Sequence, residues 1–282
     1  MSAQRTDFAR RVRSKFLSAQ GIAKVVRDPT TIYRTIKTFA TDRNLRRIPT
    51  SELLNESLHA IAALSRLSER RPTIPFAEWL PIIRNHPDVD ELGSLLEERG
   101  SDKSTEHDYF EIYGSILHGR RYDRFNLLEI GLGTNNLAIQ SNMGLGGHPG
   151  ASLRAFRDWA PQAHIVGADI DAGILFWEDR IETYWVDQTN PDSLAALAAT
   201  VQDRRFDLII DDGLHLPHSN FNTIEALLPL LTDDGILVVE DIDPVHLDYW
   251  TVAMSALVRY DTYLVERLGG WMFLIRTQRR AA

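Results

Sequence analysis

Acidic side chains and a histidine follow two short apolar segments in the last third of the chain. Residues 206–210 run into D-D-G-L-H and residues 235–239 run into E-D, which gives the candidates Asp211, Asp212, His215, Glu240 and Asp241. Neighbouring parallel strands open on one crevice at their carboxyl ends, so we expect Asp212, Glu240 and Asp241 to face each other there. Three carboxylates without a nearby basic side chain repel one another, and a hard divalent cation such as Mg²⁺ relieves that repulsion. The alternative is a tight turn whose acids are satisfied by hydrogen bonds.

A glycine turn follows an earlier apolar segment. Residues 125–133 read F-N-L-L-E-I-G-L-G, an apolar run that ends at Gly131 and Gly133. Because glycine has no Cβ, these positions can take positive φ and let a nucleoside-bearing cofactor lie against the main chain. Asn136 replaces the third glycine of the dinucleotide fingerprint, which weakens a nicotinamide or flavin interpretation. Glu129, at the end of the predicted strand, either receives a cationic group of a ligand or caps the glycine loop.

Two further strand ends carry polar side chains that suit a nucleoside. Residues 164–169 read H-I-V-G-A-D, and the carboxylate of Asp169 offers two acceptors to the vicinal diol of a ribose. Residues 181–186 are followed by Asp187 and Gln188, which either read an adenine amino group or cap the next helix. These positions predict a nucleoside pocket beside the glycine turn.

Two segments around the glycine turn are candidates for covering a ligand. Residues 100–113 read G-S-D-K-S-T-E-H-D-Y-F-E-I-Y, and as a lid they offer Lys103 to a carboxylate and Tyr109 to a ring. The alternative is the solvated start of a helix. Residues 134–150 are rich in Gly and Asn and are long enough to cover a ligand. A helix with Ser152 as its cap is expected directly after them.

The composition excludes several classes of protein. The 282 residues contain no cysteine, which excludes disulfides, thiolate metal sites and cysteine nucleophiles. No apolar run approaches the ~20 residues of a membrane span, so we expect no membrane partner and a cytoplasmic location. Residues 1–47 hold 12 basic and 3 acidic side chains, although the whole chain has a net charge of −8. We expect this basic arm to pack on its own chain or on a sister subunit of a homo-oligomer rather than on nucleic acid.

The order of the apolar segments predicts an α/β fold. The N-terminal quarter shows helical spacing and no strand alternation. Five strand segments separated by helical ones follow, and residues 262–268 and 271–276 form an antiparallel hairpin around two glycines. We therefore predict a doubly wound, Rossmann-like sheet of seven strands with a C-terminal hairpin over residues 96–282, and a helical N-terminal appendage over residues 1–95.

Six short motifs together resemble one known group of enzymes. They are S-D-K and H-D-Y within 101–109, L-L-E-I-G-L-G at 127–133, G-A-D-I-D at 167–171, V-D-Q at 186–188, I-D-D-G-L-H at 210–215 and V-E-D at 239–241. In this order they resemble the metal-dependent sugar O-methyltransferases of macrolide biosynthesis, which belong to the class I S-adenosylmethionine-dependent methyltransferases. The resemblance to the cephalosporin hydroxylase-like group is looser.

The resemblance implies a role for each candidate residue. It implies that the methionine part of S-adenosylmethionine is cradled by Glu129, Gly131 and Gly133. It implies that the ribose and the adenine side of the cofactor are bound by Asp169, Asp187 and Gln188. We add as further cofactor-binding candidates Lys103, Tyr109 and Asp211. The resemblance implies that Mg²⁺ is held by Asp212, Glu240 and Asp241, with His215 as the general base.

The sequence as a whole predicts an O-methyltransferase whose partner is a small hydroxylated natural product, with a sugar as the expected acceptor. In such a reaction a cation lowers the pKa of the hydroxyl, and a neutral imidazole takes its proton. Two alternatives stay open. One keeps the fold and the metal but makes the protein a hydroxylase-type oxygenation component, and the other makes it a non-catalytic cofactor-binding scaffold.

Overall fold

The computed structural model describes residues 75–277, together with Leu58 and Ala62. The predicted basic arm, residues 1–47, and most of the predicted helical appendage lie outside the described residues. Residues 75–250 and 257–277 belong to one compact unit. Within residues 75–277, no helix has the length and apolarity needed to cross a bilayer. The homo-oligomer, the cytoplasmic location and the division into domains stay predictions.

A mixed sheet of eight strands forms the centre of this unit. The strands are β1 (Asn126–Ile130), β2 (His164–Asp169), β3 (Trp177–Glu178), β4 (Ile181–Trp185), β5 (Phe206–Asp211), β6 (Leu231–Ile242), β7 (Tyr260–Arg267) and β8 (Gly270–Thr277). Their order across the sheet is β3-β4-β2-β1-β5-β6-β8-β7. The five central strands are parallel, whereas β3, β7 and β8 pair antiparallel with their neighbours. The predicted doubly wound sheet and C-terminal hairpin are confirmed, and the two-residue β3 is an additional edge strand.

Helices alternate with the parallel strands. They are α1 (Phe76–Trp79), α2 (Pro87–Arg99), α3 (Asp102–Thr105), α4 (Tyr109–Ile116), α5 (Ala151–Trp159), α6 (Pro191–Thr200), α7 (Pro217–Leu227) and α8 (Leu247–Ala256). Asn190 caps the start of helix α6, and its side chain accepts the N–H of Asp192. The alternative that Asp187 or Gln188 caps this helix is therefore wrong.

The strand patterns follow from burial on both faces. In β1, the residues from Leu127 to Ile130 are all buried, as a parallel strand covered by helices on both sides requires. Helix α2 packs into the same core through Leu92 and Leu96. The predicted boundary between residues 95 and 96 thus falls inside one helix of the core.

The carboxyl ends of the parallel strands lie side by side at one edge of the sheet. The N–H of Gly131 donates to the carbonyl of Ala168 at 2.9 Å, and the N–H of Asp212 donates to the carbonyl of Ile130 at 2.8 Å. Strand β6 continues to Ile242, but its register with β8 shifts after Val239. The irregularity falls on the E-D motif and turns its side chains out of the regular alternation of the strand.

Candidate active site

A cavity of about 500 Å³ opens at the carboxyl ends of the parallel strands. This volume lies in the range of ~300–1,000 Å³ that is usual for small-molecule sites. The predicted site residues that line it are Gly131, Gly133, Asp169, Asp187, Gln188, Asp212, His215 and Asp241. The other predicted site residues lie behind its wall, namely Lys103, Tyr109, Glu129, Asp211 and Glu240. A smaller cavity of about 30 Å³ is lined by Lys103 together with residues of the glycine turn.

The glycine turn has the backbone conformation that the sequence predicts. Gly131 has a φ of +92° and Gly133 a φ of +76°, in the region that favours glycine. A Cβ on Gly131 would collide with the main-chain carbonyl of Asp212. Glycine at this position therefore lets β1 end directly against the D-D-G-L-H loop, so that one cavity touches both motifs.

Asp169 organises the turn on the other side of the cavity. Its two carboxylate oxygens accept the N–H groups of Leu132 at 2.7 Å and of Asp171 at 2.8 Å. Burial raises the pKa of Asp169. Each carboxylate oxygen has a second lone pair, so the side chain still has acceptors for a diol.

Hydrogen bonds of Gln188 and Asp211 hold the D-D-G-L-H loop in place. The side-chain amide of Gln188 donates to Asp211 at 2.7 Å and accepts the N–H of Leu214 at 2.8 Å. Burial raises the pKa of Asp211, whose carboxylate also accepts from Asn220 at 3.1 Å. The predicted cofactor contact of Asp211 is not visible in this geometry, since the carboxylate lies behind the cavity wall and supports the loop. Asp187, by contrast, lines the cavity.

Lys103 lies at the centre of a group of acids that we call the buried ion cluster: Lys103, Glu129, Asp212 and Glu240. Its ammonium nitrogen lies 2.5 Å from Asp212 Oδ2, 2.6 Å from Glu240 Oε2 and 3.3 Å from Glu129 Oε1. The Lys103 side chain is only 2% exposed. The expectation that the acids converge without a basic partner is therefore wrong, because it did not place Lys103 among them.

Two hydroxyl groups complete the hydrogen bonding of the buried ion cluster. Tyr113 donates to the second oxygen of Glu240, and Ser152 donates to Glu129 at 2.9 Å. Ser152 does not cap α5 as predicted, since Gly150 occupies the N-cap position. Its hydroxyl is held instead by the carboxylate at the end of β1.

Burial has the largest effect on the pKa values in the buried ion cluster, and the neighbouring charges have the second largest. Burial alone would lower the pKa of Lys103, but Asp212, Glu240 and Glu129 raise it well above its usual range. Burial raises the pKa of Glu129 to about 7, although Lys103 opposes the shift. Burial and the neighbouring Asp212 likewise raise the pKa of Glu240. The acids hold the lysine charged, while one lysine does not offset the desolvation of all of them.

A second group, which we call the open cluster, consists of Asp212, His215 and Asp241. Each of these residues offers one atom that could bind a metal ion, and the three atoms lie within 4.8 Å of one another. Asp212 belongs to both clusters: its Oδ2 contacts Lys103, and its Oδ1 lies 3.9 Å from Nε2 of His215. The side chains of Asp212 and His215 are 20% and 26% exposed. The open cluster thus lines the cavity with an anionic surplus.

Two residues of the open cluster have unusual backbone conformations. His215 has a φ of +57° and Asp241 a φ of +53°, a region that residues other than glycine seldom adopt. Such strain concentrates at sites where a side chain has to point in a particular direction. Here it directs both side chains to the wall of the same cavity.

Tyr109 supports the open cluster from the protein interior. Its ring is fully buried, and its hydroxyl donates to Asp241 Oδ1 at 2.6 Å. Burial and the carboxylate of Asp241 raise the pKa of Tyr109. The hydroxyl therefore remains a donor, and the ring is not available to stack on a ligand in the cavity.

Residues 134–150 lie along the mouth of the cavity. The hydroxyl of Thr134 donates to Asp171 at 2.5 Å, and the hydroxyl of Ser141 donates to the carbonyl of Leu214 at 3.2 Å. Ile139 and Met143 from this segment line the cavity. The segment therefore connects the residues after β2 with the D-D-G-L-H loop, and its role as a ligand cover stays a prediction.

Comparison with known proteins finds a family that matches the central part of the chain. Residues 129–242, from the end of β1 to the end of β6, match a family described as a methyltransferase domain. This part of the chain is similar to methyltransferase domains. The order of strands in the sheet, with its C-terminal antiparallel hairpin, is the arrangement predicted from the sequence.

The chain is similar to curated enzymes of two Streptomyces species. It is 30% identical over 185 residues to 8-demethyl-8-alpha-L-rhamnosyl tetracenomycin-C 2'-O-methyltransferase of Streptomyces olivaceus. The aligned residues cover 66% of this chain and 46% of that enzyme. It is 32% identical over 161 residues to demethylmacrocin O-methyltransferase of Streptomyces fradiae, covering 55% of this chain and 36% of that enzyme. The chain thus matches less than half the length of these relatives.

A solved structure shares the fold of this chain. It is the MycE methyltransferase from the mycinamycin biosynthetic pathway, in complex with Mg, SAH and mycinamycin VI. The two structures have a TM-score of 0.54 at 19% sequence identity, over 89% of this chain and 64% of that chain. At this identity the similarity establishes the fold.

Some residues of the candidate site make contacts that the sequence did not reveal. The contacts of Tyr113 and Ser152 with buried carboxylates span 127 and 23 residues of sequence. The signal that could have found them is the pairing of hydroxyl groups with Glu129 and Glu240, two acids inside apolar strands that need buried donors. Their donors could not be identified before the packing was known.

Proposed function

We propose that this protein is an S-adenosylmethionine-dependent O-methyltransferase that acts on a sugar hydroxyl of a small natural product. The observation that carries the proposal is that the open cluster and the glycine turn line one cavity. A nucleoside-bearing methyl donor and a hydroxylated acceptor can then meet between them. The Streptomyces relatives, which are named as sugar or macrolide O-methyltransferases, support the same assignment.

The cofactor would lie across the glycine turn. Gly131 and Gly133 allow its methionine part to approach the main chain, and Asp169 has free lone pairs for the ribose hydroxyls. Asp187 and Gln188 line the same cavity and would face the adenine. Glu129 and Lys103 do not line this cavity, so they would act on the methionine end only through the field of their charges.

The open cluster fits a divalent cation. Two carboxylates and one imidazole present potential ligand atoms within 4.8 Å of one another on a half-buried wall of the cavity, and Mg²⁺ prefers carboxylate oxygens together with water. Asp212 and Asp241 would hold the ion. Glu240, the third predicted ligand, joins them only if Lys103 or Tyr113 releases one of its oxygens. A bound cation would supply Lewis acidity that lowers the pKa of the acceptor hydroxyl.

His215 would serve as the general base. Its Nδ1 is buried without a hydrogen-bond partner among the described residues, whereas Nε2 lies 3.9 Å from Asp212 Oδ1. We therefore assign the proton of the acceptor hydroxyl to Nε2, where the carboxylate of Asp212 stabilises the imidazolium that forms. As the hydroxyl oxygen bonds to the methyl carbon, the carbon–sulfur bond breaks and its electron pair returns to sulfur. The chain contributes mainly by positioning the two reactants.

Calorimetric titration with S-adenosylmethionine, with and without Mg²⁺, tests the binding half of the proposal. We expect a single site whose affinity falls in Asp169→Asn, because that carboxylate both orders the turn and faces the ribose. A panel of glycosylated acceptors then tests the chemistry by product mass. Gain of one CH₂ supports methyl transfer, whereas gain of one oxygen would replace it with the hydroxylase alternative. A protein with no affinity for the cofactor would contradict the proposal.

A further inference from the structure

The H-D-Y segment, residues 107–109, holds the turn between β7 and β8 beside the open cluster. Asp108 accepts a hydrogen bond from Nε of Arg267 at 2.9 Å and one from the N–H of Leu268 at 3.1 Å. The rings of His107 and Tyr109 stack with their centroids 4.5 Å apart and an interplanar angle of 13°. The turn and the two rings thus form one connected unit.

The same turn determines the tautomer of His107. Nδ1 of His107 lies 2.9 Å from the carbonyl oxygen of Leu268. A carbonyl oxygen only accepts hydrogen bonds, so Nδ1 carries the hydrogen and Nε2 of the neutral ring carries a lone pair. A Cβ on Gly269 would lie 2.5 Å from Nδ1, which shows how closely the turn confines the ring.

The lone pair of His107 lies next to the open cluster. Nε2 is 3.7 Å from Asp241 Oδ1, and the two side chains are 15% and 25% exposed. At that separation the atoms make no hydrogen bond with each other. Oδ1 already accepts from Tyr109 at 2.6 Å, and it has a further lone pair. A lone pair and an anionic oxygen that lie side by side in this way are stabilised by a donor placed between them.

We infer that His107 is a positioning residue of the cation site, and that its Nε2 and Asp241 Oδ1 accept hydrogen bonds from water held by the divalent ion. The inference rests on the proposed function, and it assigns to the H-D-Y segment a role outside the cavity wall. Mg²⁺ keeps several of its waters in protein sites, and those waters need acceptors. Residues that orient ligands in this way change metal affinity ~10–100-fold when they are replaced.

The test compares two amide substitutions that each retain one nitrogen position of the imidazole. His107→Asn keeps a donor near the position of Nδ1, and therefore the contact with Leu268, but removes the atom that faces Asp241. His107→Gln reaches the position of Nε2 with an amide oxygen that can accept. His107→Phe keeps the stacking on Tyr109 and removes both nitrogens. His118→Asn, at an exposed histidine, is the matched control.

The experiment measures two quantities. The dissociation constant of Mn²⁺ is determined from its electron paramagnetic resonance signal, and the thermal melting temperature reports whether each variant is folded. We expect Mn²⁺ to bind ~10–100-fold more weakly in His107→Asn and His107→Phe, and close to wild type in His107→Gln and in the control. If His107→Asn does not fold, the comparison of the Phe and Gln variants gives the same decision. Equal Mn²⁺ affinity in all folded variants would overturn the inference while leaving the cation site intact. Failure of the wild-type protein to bind Mn²⁺ would instead overturn the cation site itself.

Discussion

The buried ion cluster and the open cluster share Asp212 but differ in what balances their negative charge. In the buried ion cluster, Lys103 contacts three carboxylates, and hydroxyl groups bind the remaining oxygens of Glu129 and Glu240. In the open cluster, no Lys or Arg among the described residues pairs with Asp241. The first cluster is saturated by the protein, whereas the second presents its oxygens to a cavity.

The difference separates acids that hold the structure together from acids that can bind a ligand. A buried carboxylate without a partner is costly, so each acid behind the cavity wall has a donor from the chain. A carboxylate at the cavity wall can leave part of its charge to water or to a ligand. Asp212 has one oxygen in each environment, so a change in either cluster reaches the other through a single side chain.

The largest effect is expected when the open cluster loses its imidazole. His215→Ala should lower turnover ~10²–10⁴-fold, because no other group in the cluster can take the proton at neutral pH. Affinity for S-adenosylmethionine and thermal stability should stay close to wild type, since the buried ion cluster is untouched. Methyl transfer rates and calorimetry measure both, with His118→Ala as the surface control. Unchanged turnover would remove His215 from the mechanism.

Substitutions in the buried ion cluster should change the stability of the protein rather than its catalytic rate. Lys103→Met leaves three carboxylates in contact with no cation, and removal of one member of a buried ion pair typically costs about 3–5 kcal/mol. Urea unfolding measures the change in the free energy of unfolding. The double variant Lys103→Met/Glu240→Gln should recover part of the loss. A single variant as stable as wild type would show that Lys103 does not hold the cluster.

Glu129 gives the buried ion cluster a pH dependence. Its pKa is raised to about 7 from the usual 4.5, so between these values the native state binds a proton that the unfolded state has released. Stability from this group is complete below pH ~4.5 and falls as the pH rises to about 7, by up to about 3 kcal/mol. The midpoint of urea unfolding should decrease over this pH range in the wild-type protein, and it should decrease less in Glu129→Gln. The same slope in both proteins would assign it to other groups.

Two tyrosines offer the smallest and most closely matched comparison. Tyr113→Phe and Tyr109→Phe each remove one hydroxyl from a fully buried ring that donates to a carboxylate, in the buried ion cluster and the open cluster respectively. Tyr113→Phe should cost about 1–3 kcal/mol of stability, because Glu240 has no access to replacement water, and it should not weaken Mn²⁺ binding, because it leaves Asp212 and Asp241 in place. Tyr109→Phe should cost less stability but weaken Mn²⁺ binding. Identical profiles for the two variants would remove the distinction between the clusters.

The fold was largely accessible from the sequence because its signals are local. The run that ends at Gly131 and the acids near the ends of β5 and β6 identify strand ends, and parallel strands bring their carboxyl ends together. The positive φ at Gly131 and Gly133 follows from the residue type. The added strand β3 escaped prediction because two residues, Trp177 and Glu178, are too short to show alternation.

The partners of the acids were not accessible in the same way. Lys103 and Tyr109 were expected to face a ligand, yet Lys103 contacts acids 109 and 137 residues further along the chain. Ser152 was expected to cap a helix but binds Glu129. A lysine near an apolar strand gives no local signal of which carboxylate it will meet, because that depends on how α3, β1, β5 and β6 pack together.

The sequence by itself determined the parallel sheet, the glycine turn and the set of acids that meet at its edge, because each follows from residue type and spacing over a few positions. The tertiary structure decided which acids are neutralised by Lys103 and which line the cavity. The physical reason is that charge compensation in a protein interior depends on distances of a few ångströms between side chains from separate elements, and no local pattern encodes those distances.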